Sequence, residues 1–167
     1  MNLIRQLSRR RLVAIAAGLF GATALGAQSR VLAAADQSQA NKSGSVTMKK
    51  FLIHIHTGPE NPTKAALGFL VALTAVKAGH HVDVFLAGDG AFLIGDDALN
   101  SVEGKGTGKL GVHYKALADG GVRFYVSGMS AKARGMTDKD LAGKPAEFAM
   151  PDVLVQIAAN SDVALTY

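Results

Sequence analysis

No cysteine occurs among the 167 residues. The chain therefore has no disulfide to stabilise it and depends on its core alone. It also has no thiol nucleophile, no thiol to carry a persulfide and no thiolate metal ligand. A long membrane-spanning run is missing as well. The most apolar stretch, Leu12 to Ala27, is interrupted by Gly18, Gly21 and Gly26, whereas a spanning helix needs about 20 strongly apolar residues. The basic excess of +5 is confined to the N-terminal segment. Arg5, Arg9, Arg10, Arg11 and Arg30 belong to it, and the remaining basic residues balance the 13 acidic ones. A nucleic-acid-binding domain needs a basic face of its own, so nucleic acid is not an expected partner.

What is present at the N-terminus is an address. Ser8-Arg9-Arg10-Arg11-Leu12-Val13 sets an arginine pair ahead of a moderate apolar run, and Ala33-Ala34-Ala35 supplies a small-residue cleavage site before Asp36. This order predicts a twin-arginine export signal over residues 1–35 and a periplasmic mature protein with no stable membrane insertion after cleavage. A membrane anchor is the alternative. The twin-arginine route exports folded proteins, and assembly of an oligomer before export is reason enough for it, so no cofactor is implied. Residues 36–47 (DQSQANKSGSVT) are polar and without period, which predicts a flexible linker. The folded domain is expected over 48–167, about 120 residues, a normal size for one core.

Within that domain, short β-rich runs alternate with helical segments. Lys50 to His56 reads as a buried strand, closed by Thr57-Gly58-Pro59. Asn61-Pro62 opens a helix with an apolar face at Leu67, Leu70, Val71, Leu73 and Val76, stopped by Gly79. His81 to Ala87 is a second strand, followed by Gly88-Asp89-Gly90 and a short helix from Ala91 towards Asn100. Gly104 to Gly111 reads as a mobile glycine-lysine loop, and Leu110 to Ala118 as a helix. Further strands are expected at Val122–Val126, Ala146–Met150 and Asp162–Tyr167, with a capped turn at Thr137–Leu141 and a helix at Pro151–Asn160. The alternation predicts an α/β fold, a three-layer α/β/α sandwich on a mainly parallel sheet of about five strands. In such sheets ligands bind beyond the carboxyl ends of the strands, which nominates Thr57–Asn61, Gly88–Gly90 and Ser127–Arg134.

Four blocks carry a family resemblance. F-L-I-H-I-H-T-G-P-E-N-P-T-K-A-A-L-G-F-L, A-G-H-H-V-D-V-F-L-A-G-D-G, G-V-R-F-Y-V-S-G-M-S-A-K-A-R-G-M and M-P-D-V-L-V-Q-I-A-A-N-S-D-V-A-L-T-Y, in this order over Lys49–Tyr167, resemble the DsrE/DsrF-like family. The resemblance implies a small α/β domain that assembles into homo-trimers or hexamers. It also implies, in the sulfur-relay members, a persulfide-carrying cysteine just after the third strand. Ser127 stands at that position. A serine hydroxyl holds no persulfide and is a poor nucleophile without an adjacent base, so the resemblance carries the fold across but not sulfur transfer.

The expected site is accordingly one of binding. Ser127, Ser130 and Arg134 suit an anion, because hydroxyls, free backbone amides and a guanidinium all favour negative charge. The alternative is a tight strand-to-helix turn at Ser127 and a surface or interface arginine. Thr57, Gly58, Glu60 and Asp89 are expected to line the same pocket, with Glu60 and Asp89 an acid/base pair only if close; turn chemistry and a helix cap are the plainer reading. His54 and His56, two apart on a strand, share a face and would bind a soft metal only with help from His113, Met129 or Met150, so no metal is assigned. Gly106-x-Gly108-x-x-Gly111 matches a dinucleotide fingerprint in letters but lacks its preceding strand. The residues thus predict a binding or assembly module for a small, possibly anionic ligand or a partner protein, with no catalytic residue. The alternative is an accessory factor or enzyme of sulfur-compound metabolism that holds an anionic substrate through Ser127 and Arg134.

Overall fold

A computed structural model describes residues 47–167. The expected signal and nearly all of the linker lie outside these residues. Five parallel strands form the sheet: β1 (Lys50–Ile55), β2 (His81–Leu86), β5 (Arg123–Ser127), β6 (Ala146–Ala149) and β7 (Val163–Thr166), in the order β6-β5-β2-β1-β7. A separate hairpin pairs β3 (Glu103–Gly104) with β4 (Gly108–Lys109). The helices are α1 (Pro62–Lys77), α2 (Asp96–Ser101), α3 (Leu110–Asp119), α4 (Gly128–Ala133), α5 (Asp138–Leu141) and α6 (Pro151–Ala159), with a 3₁₀ turn at Gly88–Ile94.

Connection handedness explains the layers. The chain steps in one direction from β1 through β2 and β5 to β6, so right-handed crossovers put α1 and α3 on the same face. The return from β6 to β7 runs the opposite way and carries α6 to the other face. Side-chain alternation follows. Ile53, Ile55, Val84, Leu86, Phe124 and Val126 are buried with Phe69 and Leu117 beneath α1 and α3. On the other face, Leu52, Phe85, Tyr125 and Ala149 pack against Val153, Leu154 and Ile157 of α6. The three-layer arrangement is thus the one expected.

Local chemistry sets the boundaries. Asn61 caps α1, its Oδ1 accepting from the Lys64 amide at 3.2 Å, and Pro62 occupies the first turn. Thr137 and Asp140 form a capping box around α5. Two expectations change. The helix predicted from Ala91 to Asn100 is instead a 3₁₀ turn and a separate α2, divided at Gly95, whose extended backbone (φ −70°, ψ 149°) interrupts helical pairing. Gly104–Gly111 is the β3–β4 hairpin running into α3 rather than an unstructured loop. The Lys105 amide donates to Thr63 Oγ1 at 3.0 Å, tying the hairpin to α1. Gly106 and Gly108 take left-handed backbone there (φ 78° and 80°), conformations glycine adopts freely. Among the described residues no helix is long and apolar enough to cross a membrane.

Candidate functional site at the strand ends

The carboxyl ends of β1, β2 and β5 are neighbours in the sheet, so the three nominated loops converge. Ser127 ends β5 and is the N-cap of α4; its Oγ accepts from the Ser130 amide at 3.3 Å and from Ser130 Oγ at 3.1 Å. Ser130 Oγ in turn accepts from the Gly88 amide at 2.9 Å, joining the β5 and β2 loops. Arg134 donates from Nε at 3.1 Å and Nη2 at 2.6 Å to Asp89 Oδ1, and from Nη1 to the Ser130 carbonyl at 3.2 Å. Its guanidinium also stands 5.8 Å from the centre of the Phe92 ring, within cation–π range.

The β1 loop closes the arrangement. Glu60 Oε1 accepts from the Gly58 amide at 2.9 Å. A side chain at Gly58 would collide with the Glu60 carboxylate and the Asp89 backbone, so only glycine allows the two loops to approach this closely. Thr57 is the one buried polar residue of the described domain, and its amide reaches the Tyr167 carbonyl at 3.4 Å. The structure therefore brings together Thr57, Gly58, Glu60, Asp89, Ser127, Ser130 and Arg134. It also commits most of their polar atoms to one another. Glu60 holds a turn amide through Oε1 and Asp89 holds an arginine through Oδ1.

Beside this cluster lies an open cavity of about 510 Å³, lined by Pro59, Phe92, Asp97, Arg134, Met136 and Lys139 among others. Arg134 is the member shared with the cluster. Pro59 falls in the nominated Thr57–Asn61 loop, whereas Phe92, Asp97 and Lys139 lie in Ala91–Asn100 and Thr137–Leu141, which the sequence marked only as helix. The exposed Phe92 after Gly88-Asp89-Gly90 is the signal that marked the place: an aromatic ring left 41% exposed beside strand ends.

The histidines separate. His54 and His56 do share a region, their rings 5.8 Å apart. His54 packs edge-on against Phe85 at the same distance, on the α6 face of the sheet. Burial and then the nearby His56 hold its pKa below the ordinary 6.5. His113 is on α3, its Nε2 2.6 Å from the Thr107 carbonyl, too far into the other layer to join them. Among the described residues no three His, Asp or Glu side chains gather to hold a metal ion.

Fold and site together define a small parallel α/β domain whose polar residues converge beyond the strand ends. The DsrE/DsrF-like family model matches residues 49–167, and the chain belongs to that family. It is similar to the YchN protein from E. coli, whose crystal structure superposes with a TM-score of 0.60 at 17% identity, covering 72% of this chain and 100% of that one; that likeness bears on fold. It is also 30% identical over 112 residues to an uncharacterized protein of Methanocaldococcus jannaschii. The match takes in 67% of this chain but only 41% of that protein's length.

Proposed function

We propose that this chain is a periplasmic, non-catalytic binding and assembly module of the DsrE/DsrF-like type, without cysteine-dependent sulfur transfer. One observation carries the reading. Ser127, at the position the family resemblance gives to the sulfur-carrying cysteine, spends its Oγ as a helix cap and as acceptor from Ser130. A hydroxyl engaged in this way supplies a turn, and among the described residues no His, Asp or Glu is hydrogen-bonded to it to make it a nucleophile. The ligand is small and binds without covalent attachment beside the strand ends, where Arg134 links the polar cluster to the cavity.

Assembly into a homo-oligomer, a trimer or hexamer, belongs to the same proposal. Its support is exposed apolar surface: Met129, Met150 and Val155 are 60%, 52% and 66% exposed. The Met150 sulfur lies 3.6 Å from where a Gly128 side chain would begin, next to Met129. Exposed methionines make an adaptable apolar contact surface.

A second reading, an accessory factor of sulfur-compound metabolism, is favoured by Arg134 alone, a guanidinium that faces a cavity and suits an oxyanion. Calorimetric titration of the full chain with sulfate, thiosulfate and phosphate separates the two. The module reading expects weak or no heat from these ions, because Asp89 already offsets the Arg134 charge through Nε and Nη2 and a bare inorganic anion gains little there. Saturable thiosulfate binding that Arg134→Gln abolishes would favour the second reading.

A further inference from the structure

The cavity beside Arg134 is lined by two segments that carry charges of both signs. One, residues 92–98, carries Asp96 and Asp97; the other, residues 134–140, carries Arg134, Lys139 and Asp140. Several of these charges are already committed. Asp96 pairs with the nearly buried Lys144 at 2.9 Å. Asp140 accepts from the Thr137 amide at 2.7 Å, which lowers its pKa and fixes it as a helix cap. What remains is asymmetric. Among the described residues Asp97 and Lys139 have no ion-pair partner, and both line the cavity, one from each segment.

Arg134 adds to the cationic groups. A guanidinium has five N–H donors. Asp89 and the Ser130 carbonyl take one each from Nε, Nη1 and Nη2, which leaves one N–H on each terminal nitrogen. Two such donors match the two oxygens of a carboxylate. The lining also includes apolar residues, Pro59, Phe92, Ala98 and Met136. A volume of about 510 Å³ falls in the range of small-molecule sites.

We infer that this cavity binds a zwitterionic organic molecule of the size and kind of a free apolar α-amino acid. Its carboxylate meets Arg134 and Lys139, its ammonium meets Asp97, and its apolar body lies over Phe92 and Met136. A simple inorganic anion satisfies only the cationic groups and leaves the apolar lining wet. A purely cationic ligand satisfies only Asp97. The inference rests on the binding-module reading and names its ligand class.

The test is a backbone amide NMR titration of the full chain with three probes that share one branched apolar side chain: leucine, 4-methylpentanoate and 3-methylbutylamine. Leucine is expected to shift residues 92–98 and 134–140 saturably. The acid and the amine, each lacking one charge, are expected to bind at least about tenfold more weakly, as loss of a charged hydrogen-bonding partner implies. Asp97→Asn should weaken leucine about tenfold while leaving the rest of the spectrum in place. Equal binding of the acid and leucine, or leucine shifts that map elsewhere, overturns the inference. If leucine fails while thiosulfate shifts residues 88–92 and 127–134, the zwitterion falls and the second reading, an oxyanion site at Arg134, gains. If none of these probes shifts any residue beyond the strand ends, the zwitterion and small-ligand binding both fall.

Discussion

On one face of the sheet Phe69, Leu117 and Phe124 are fully buried beneath α1 and α3. On the other, Leu52, Phe85, Tyr125 and Ala149 lie under α6, a helix with no fully buried residue of its own. The same sheet thus has one face finished by its own chain and one finished only in part. Near-continuous apolar strands arise where both faces are covered, yet here the α6 face mixes Tyr125 and Phe85 with His54, Asp83 and Arg123. Arg123 sits 5.3 Å from the Tyr125 ring centre and pairs with Glu147 at 2.9 Å. The difference teaches how the domain divides its surface: the α1/α3 face is closed by the domain's own core, and the α6 face and strand ends keep more polar and exposed side chains.

The largest test of this division is Phe124→Ala. Removing a fully buried ring stacked on Phe69 at 5.9 Å should destabilise the chain by about 3–5 kcal/mol, read as a lowered midpoint in urea unfolding. Leu154→Ala on α6, only partly buried, should cost less, about 1–2 kcal/mol, because less apolar area leaves water. If α6 also sits at an assembly contact, that cost grows with protein concentration, which sedimentation and unfolding at two concentrations would reveal. An equal cost for the two substitutions would erase the contrast.

Smaller effects sharpen the picture at the strand ends. Ser127→Ala removes the cap of α4 and one partner of Ser130, so a loss of about 1 kcal/mol is expected, measured by thermal unfolding. Ser127→Thr, which keeps the hydroxyl, should recover most of it. Asp89→Ala should change stability by less than about 1 kcal/mol, because Asp89 is largely exposed and exposed ion pairs contribute little. It should strengthen anion binding at Arg134 by releasing the guanidinium, a gain that calorimetry with thiosulfate would detect.

The smallest expected effect is a slope with pH. His54 on the α6 face resists protonation in the folded chain, through burial first and the His56 charge second. Its folded pKa lies below the unfolded 6.5, so the unfolded state takes up the proton first as pH falls. The stability this group contributes is therefore complete above 6.5 and declines below it. Urea midpoints across that range should fall for the parent chain and fall less for His54→Gln. Identical slopes would remove His54 from the account.

Much of the fold was legible because the first three strands of the sheet are short β-rich runs closed by glycine, and because Asn61-Pro62 and Thr137–Asp140 write their own helix starts. The α2 region was not, since the break at Gly95 depends on backbone conformation that the letters Ala91–Asn100 do not force. The converging loops were also legible, as parallel topology puts them at one end of the sheet. The commitments inside them were not. That Arg134 is held by Asp89, 45 residues away in sequence, and that Phe92 and Lys139 share a cavity, follow from long-range packing with no local sequence pattern.

The central claim is that this domain holds its ligand without a covalent bond to sulfur. Mass spectrometry of the full chain, expressed with its own N-terminus and recovered from the periplasm, tests it when run first under native and then under denaturing conditions. The account predicts an oligomer carrying a small added mass that vanishes on denaturation, leaving the bare polypeptide. A sulfur adduct that survives denaturation would contradict it.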